Sequence, residues 1–104
     1  MNLASNQRKH LESLANDLDP IVRIGKQGIT PQLINSVIEN LESRELIKVK
    51  ILEAAPLEKE EIAEQIIAQT GCYLVRLIGR TLILYRKAKK KKKTSIELPP
   101  KKKA

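Results

Sequence analysis

Two apolar runs, Tyr73 to Ile78 and Thr81 to Arg86, are separated only by Gly79-Arg80, and this pair of strands limits the possible folds more than any other stretch. A glycine-first pair suits a tight type II′ turn, whose first central residue needs positive φ. The turn sets a register in which Ile78 faces Thr81, Arg76 faces Ile83 and Leu74 faces Tyr85. Val75, Leu77, Leu82 and Leu84 then share one wholly apolar face. Other elements have to cover it.

Two helices upstream suit that task. Thr30 reads as an N-cap and Pro31 as the first helical residue, with Ile29 and Ile34 at the staple positions and Leu33, Ile34, Val37, Ile38 and Leu41 along one side. Pro56 and the acids Glu58, Glu60 and Glu61 suit the first turn of a later helix. Ile62, Ala63, Ile66 and Ile67 form its stripe, and Gly71 closes it as a left-handed cap. Between them, Leu46 to Ile51 alternates, Ile47, Val49 and Ile51 against Lys48 and Lys50, which is the period of a half-buried strand.

Ile21 to Ile24 is a short apolar strand. Before it, Leu11, Leu14, Ala15 and Leu18 fall on one helical stripe, with Ser5 as N-cap and an end at about Leu18, since Pro20 keeps Asp19 out of the helical region. The expected order is α-β-α-β-α-β-β. Right-handed crossovers put the second and third helices on one face of the sheet. The first helix is expected partly over the opposite face, with Lys48, Lys50, Arg76, Ile83 and Tyr85.

Charge is divided along the chain. Residues 1–86 hold 11 Lys+Arg and 11 Asp+Glu, whereas residues 87–104 hold 9 and 1, so the whole excess of +8 lies in the second segment. The first segment reads as the domain. The second reads as a lysine-rich flexible tail, because a run of like charge repels itself. Ile96 and Leu98 within it could still dock on the domain.

Several functions are disfavoured. A chain of 104 residues buries only about 60% of its unfolded surface, which leaves little room for a deep catalytic cavity. Tyr73 and Tyr85 are the sole aromatics, too few for a base-stacking platform. Cys72 has no partner for a disulfide and, with His10 as the one histidine, cannot build a zinc site. His10 reads as a surface residue and Cys72 as a small core residue, so neither an enzyme nor a cofactor is expected. Met1 to His10 is polar and no apolar run spans a membrane, so a cytoplasmic protein without membrane contact is expected.

Gly25-Lys26-Gln27-Gly28 joins the short strand to the Thr30 cap. Two glycines allow close backbone approach, a lysine stands between them, and unpaired N–H groups of a helix start follow at once. Together these suit a phosphate. The stretch is not a Walker loop, and it lacks the G-x-G-x-x-G of dinucleotide folds. In KH modules a G-x-x-G loop joins two helices, whereas here a strand precedes it.

Leu14-Ala15, Pro20-Ile21-Val22, Ile24 to Thr30, Glu45 to Lys50 and Ile78 to Arg86, with a short ending at Ile96 to Pro99, together resemble the CRM domain. This is the chloroplast RNA splicing and ribosome maturation family, and the likeness is to its bacterial stand-alone members of the YhbY type. The resemblance implies an α/β fold of the two-layer α+β type, similar to the C-terminal domain of a bacterial translation initiation factor. Its four-stranded mixed sheet would have the order 1-2-4-3, with the last strand antiparallel. It also implies a monomeric RNA-binding protein without catalysis, associating with ribosomal RNA or precursors of the large ribosomal subunit. On this reading Gly25, Lys26, Gln27 and Gly28 hold phosphate, and Arg8, Lys9, Lys48, Lys50, Arg80 and Arg86 extend the basic surface. The lysine tail is longer than the resemblance leads one to expect, which keeps two alternatives open: a non-specific RNA chaperone acting through the tail, and a protein-interaction module.

Overall fold

The computed structural model describes residues 3–89 and 96–100. Seven elements follow the expected order: α1 (Ser5–Ala15), β1 (Val22–Ile24), α2 (Pro31–Arg44), β2 (Leu46–Ile51), α3 (Lys59–Thr70), β3 (Tyr73–Ile78) and β4 (Thr81–Tyr85). The strands form one mixed sheet in the order β1-β2-β4-β3. β1 and β2 are parallel, and β4 runs antiparallel to both of its neighbours.

Local chemistry sets the boundaries as expected at three places. The Thr30 hydroxyl oxygen accepts the Leu33 N–H at 3.0 Å, starting α2 with Pro31 in its first turn. Gly71 ends α3 in the left-handed conformation at φ 70°. At the hairpin Gly79 has φ 56° while Arg80 does not have positive φ, as a type II′ turn requires. α2 and α3 cover one face, burying Ile34, Val37, Leu41, Ile62 and Ile66 against Ile24, Ile47, Val49, Leu82 and Leu84. Each such side chain contributes about 1.5–3 kcal/mol relative to exposure.

The hairpin register departs from expectation beyond its first rungs. Ile78 pairs with Thr81 and Arg76 with Ile83, but Leu74 then pairs with Leu84 and Tyr73 with Tyr85. Val75 is therefore the extra residue of a β-bulge, and the bulge reverses the alternation that follows it. Val75 turns away from Leu77, Leu82 and Leu84 and is buried on the other face with Leu11, Ala15, Leu46, Ile83 and Tyr85. Leu74 joins the α2 and α3 side instead. The shift also stacks Tyr73 on Tyr85, with ring centroids 6.4 Å apart.

α1 lies over that second face, as placed, but with a different stripe. Gln7, Leu11 and Ala15 are its buried residues, while Leu14 and Leu18 are 40% and 36% exposed. The helix stops at Ala15 rather than near Leu18, and its N-cap is Ala4 rather than Ser5. The cap moves because Gln7 Oε1 accepts the Ala4 N–H at 3.1 Å, the return half of a capping box. The same Gln7 donates from Nε2 to the Pro99 carbonyl at 3.0 Å.

That last bond belongs to a C-terminal strap. Glu45, the residue between α2 and β2, is buried and has φ 65°. Its carboxylate accepts the Ala88 N–H at 2.7 Å and the Ile96 N–H at 2.6 Å. Glu42 accepts the Lys89 N–H at 2.8 Å, and Asn6 Nδ2 donates to the Pro100 carbonyl at 2.7 Å. Ile96 and Leu98 pack on the core under α1, the docking that the sequence left open. The rest of the lysine-rich segment, residues 90–95 and 101–104, lies outside the described residues.

Candidate functional site

Because β1 and β2 are parallel, they end together, Ile24 opposite Ile51, and β4 begins beside them with Thr81 opposite Lys50. Three connections therefore meet at one edge of the sheet: the Gly25–Gly28 loop, the loop after β2, and the hairpin tip. Backbone bonds tie them. Leu52 N–H donates to the Ile24 carbonyl and Ile51 N–H to the Arg80 carbonyl, each at 2.8 Å. The capping residues of α2 and α3, Thr30 and Glu58, follow two of these connections, so both helices begin at this edge.

The Gly28 N–H donates to the Gly25 carbonyl at 2.9 Å and closes a tight turn. Lys26 and Gln27 occupy its centre without positive φ and are exposed. The two glycines have different reasons to be there. Gly28 is buried at φ 65°, and a Cβ on it would stand 3.0 Å from Pro56 Cγ. It is needed by its own backbone and by the neighbouring loop. At Gly25 a Cβ would meet Leu52 Cδ1 at an ordinary 3.6 Å.

Beside the turn is an open cleft of about 280 Å³, lined by Arg23, Gly25, Lys26, Gln27, Gly28, Thr30 and Leu33. Arg23 was missed in the sequence reading. Its signal was the alternation Val22-Arg23-Ile24, which buries the outer two residues and exposes the arginine. In register Arg23 pairs with Lys50, and Lys50 with Thr81. Among the described residues Arg23, Lys26, Lys50 and Arg80 form no ion pair. Anion binding by such a group needs no prior contact to break.

The other expected cations are placed differently. Arg80 is exposed at the hairpin tip on the same edge, and Lys48 is half-buried one pair further along β2. Arg8 and Lys9 are exposed on α1, which packs over the Leu46 and Tyr85 end of the sheet, away from the loop. Arg86 is turned inward, with its side chain 17% exposed. Its Nη1 donates to the Thr70 carbonyl at 2.8 Å and its Nη2 meets Glu42 at 3.3 Å. That guanidinium caps the end of α3. Cys72 is buried beside it, and burial pushes its thiol up from the usual range. No helix among the described residues is long and apolar enough to cross a membrane.

With this geometry in view, comparison with known proteins gives a consistent result. The sequence model of the CRS1 / YhbY (CRM) domain matches residues 3–86. A Bacillus subtilis protein named probable RNA-binding protein YqeI is 39% identical over 97 residues, covering 93% of this chain and 99% of its own length. A Haemophilus influenzae protein named RNA-binding protein is 35% identical over 99 residues, covering 95% of this chain and 97% of its own. The solution structure of a hypothetical Staphylococcus aureus protein, described as a candidate RNA binder, superimposes with a TM-score of 0.73 at 41% identity. It covers 93% of this chain and 100% of its own.

Proposed function

The chain belongs to the CRS1 / YhbY (CRM) domain family, and on that premise we propose that it binds RNA through the Gly25–Gly28 edge and serves as an assembly factor for the large ribosomal subunit. The observation that carries the reading is the open cleft in which Arg23 and Lys26 flank an exposed turn just before the α2 N-terminus. Two cations without an ion pair among the described residues stand there beside the start of α2. Lys50 and Arg80 extend the charge along the same edge, and Lys48 continues it over the sheet. Contacts of this kind position a nucleic-acid backbone without reading bases, so selectivity for a ribosomal precursor would come from RNA shape. No catalytic step is required of any residue in this scheme.

The test is Lys26→Glu in the full chain, with binding to large-subunit ribosomal RNA fragments followed against salt. Lys26 is exposed, so folding should be unchanged while affinity falls at least about tenfold, or about 1.4 kcal/mol. The slope of log K against log salt should flatten by about 0.7–0.9, one phosphate contact. A folded variant with native affinity would refute the loop assignment. The tail reading is separated by exchanging Lys90 to Lys93 for glutamine. Deleting residues 87–104 is the poorer test, because residues 96–100 are bonded to α1. If the glutamine variant loses all RNA affinity, the tail and not the loop is the binder. A partner protein recovered after RNase treatment, with no ribosomal RNA, would favour an interaction module.

A further inference from the structure

We infer that this edge reads one base, an unpaired guanine, in a second cleft beside the phosphate turn. The inference rests on the RNA-binding reading and adds a base contact to it. The second cleft, also of about 280 Å³, lies between the loop after β2, the start of α3 and the hairpin tip. It shares a wall with the first. Leu52, which lines the second cleft, has its Cδ1 3.6 Å from the place of a Cβ on Gly25, and Pro56 Cγ is 3.0 Å from that of Gly28. A nucleotide whose phosphate lies at the Gly25–Gly28 turn therefore meets this wall with its base.

The lining carries charges of both signs from three places: Glu53 after β2, Glu58 and Lys59 at the start of α3, and Arg80 at the hairpin tip. Among the described residues none of the four is in an ion pair. Glu58 is the N-cap of α3, yet its side chain makes no capping hydrogen bond. Carboxylates beside a phosphate site repel the ligand, so on an RNA-binding edge their partners are N–H donors of a base. Guanine is the base that offers a carboxylate two adjacent donors, N1–H and N2–H on its Watson–Crick edge, while its O6 and N7 accept from an arginine or lysine. Adenine and cytosine present one amino group beside an acceptor nitrogen, and uracil one N–H between two carbonyls, so each sets a lone pair against the second carboxylate oxygen. Buried Ile51 and the 38% exposed Leu52 supply an apolar surface for the face of the base. Tyr73 and Tyr85 are stacked on each other in the other core cluster, so the selection falls to hydrogen bonds at the edge of the base rather than to ring stacking.

The experiment uses the full chain and fluorescent strands of about 12 nucleotides, all uridine except one central residue, which is guanosine, inosine or adenosine. The strands carry equal charge, so the lysine tail acts on all three alike. Anisotropy titrations should give at least about fivefold tighter binding of the guanosine strand than of the adenosine strand. Inosine lacks the 2-amino group and should fall between them. In Glu53→Gln/Glu58→Gln, two exposed positions whose fold circular dichroism checks, the guanosine preference should drop below about twofold. The adenosine strand should be bound no more weakly than before, because two negative charges have left the edge, whereas damage to the fold would weaken both strands together. Equal binding of guanosine and adenosine, inosine bound as tightly as guanosine, or a preference that survives in the double variant each overturns the inference and leaves RNA binding standing. Micromolar binding of GMP by itself also overturns it, since the cleft is then a site for a free nucleotide. If no strand binds, the RNA-binding reading falls and this inference with it.

Discussion

Glu45 is the residue whose replacement tests the most about this fold. It holds a φ of 65°, which a side chain with a Cβ adopts at a cost of about 1–3 kcal/mol. In return its carboxylate takes the Ala88 and Ile96 N–H groups at 2.7 and 2.6 Å, tying both residues to the domain. Hydrogen bonds to a charged group contribute about 1.5–3 kcal/mol each, but a released strap regains water for at least the partly exposed Ile96 N–H. The expected loss for Glu45→Ala is therefore about 2–4 kcal/mol, a large share of the 5–15 kcal/mol that holds a domain of this size together. In thermal unfolding that is a fall in Tm of about 10–25 °C. Glu45→Gly loses the same carboxylate yet removes the backbone strain. Even after glycine's greater freedom in the unfolded chain, about 0.5–1 kcal/mol, it should be the more stable variant by about 1 kcal/mol. Urea titration followed by circular dichroism measures both. An alanine variant within about 0.5 kcal/mol of the parent would show that the carboxylate does not hold the strap, and a glycine variant less stable than the alanine one would show that the φ is not strained.

Other substitutions probe the remaining joints. Gly28→Ala meets Pro56 Cγ at 3.0 Å and keeps φ 65°, so it should cost about 1–3 kcal/mol, whereas Gly25→Ala, 3.6 Å from Leu52 Cδ1, should stay within about 0.5 kcal/mol in the same urea assay. Arg86→Ala strands the Thr70 carbonyl and takes one partner from Glu42, and a loss of about 1–3 kcal/mol is expected with RNA affinity unchanged. Burial holds the Cys72 thiol above its ordinary 9.0, and burial, followed by the Glu45 charge, holds the Tyr85 hydroxyl above 10.0. In both cases the unfolded chain gives up its proton first. The stability contributed by the protonated forms is complete below about pH 9 and is lost as pH rises through the folded values. Urea midpoints should thus be level from about pH 7 to 8.5 and drop above about pH 9.5, with a smaller drop in Cys72→Ala; a midpoint that rises with alkali would contradict the burial of both groups.

The elements that were legible in the sequence are those decided by neighbours in the chain. Thr30-Pro31, Gly71 and Gly79 each act within one turn, and each set its boundary as expected. The alternation of Ile47, Val49 and Ile51 against Lys48 and Lys50 likewise placed β2 and its two faces. The bulge at Val75 was not legible because Tyr73, Leu74 and Val75 are all apolar, so a one-residue shift leaves the pattern looking the same. The α1 stripe failed for a related reason. Leu14 and Leu18 satisfy the period as well as Leu11 does, and what selects Gln7 is the Pro99 carbonyl, 92 residues away.

The same distinction governs the candidate site, and it explains why counting cations could not define it. Arg23 and Arg86 are chemically identical and each sits in or directly after a strand, yet one lines the open cleft and the other is bonded to Thr70 and Glu42. What separates them is the end of the sheet on which each stands. At the Gly25 edge β1 and β2 end where α2 and α3 begin, and Arg23 there is exposed with no ion pair among the described residues. At the other end α2 and α3 finish, their carbonyls and the acids Glu42 and Glu45 gather, and those acids take up Arg86 and the backbone of Ala88, Lys89 and Ile96. The polarity of the two parallel strand-helix units thus leaves Arg23 at the helix starts, where Lys26 and Lys50 but also Glu53 and Glu58 stand, and sets Arg86 among the acids at the helix ends.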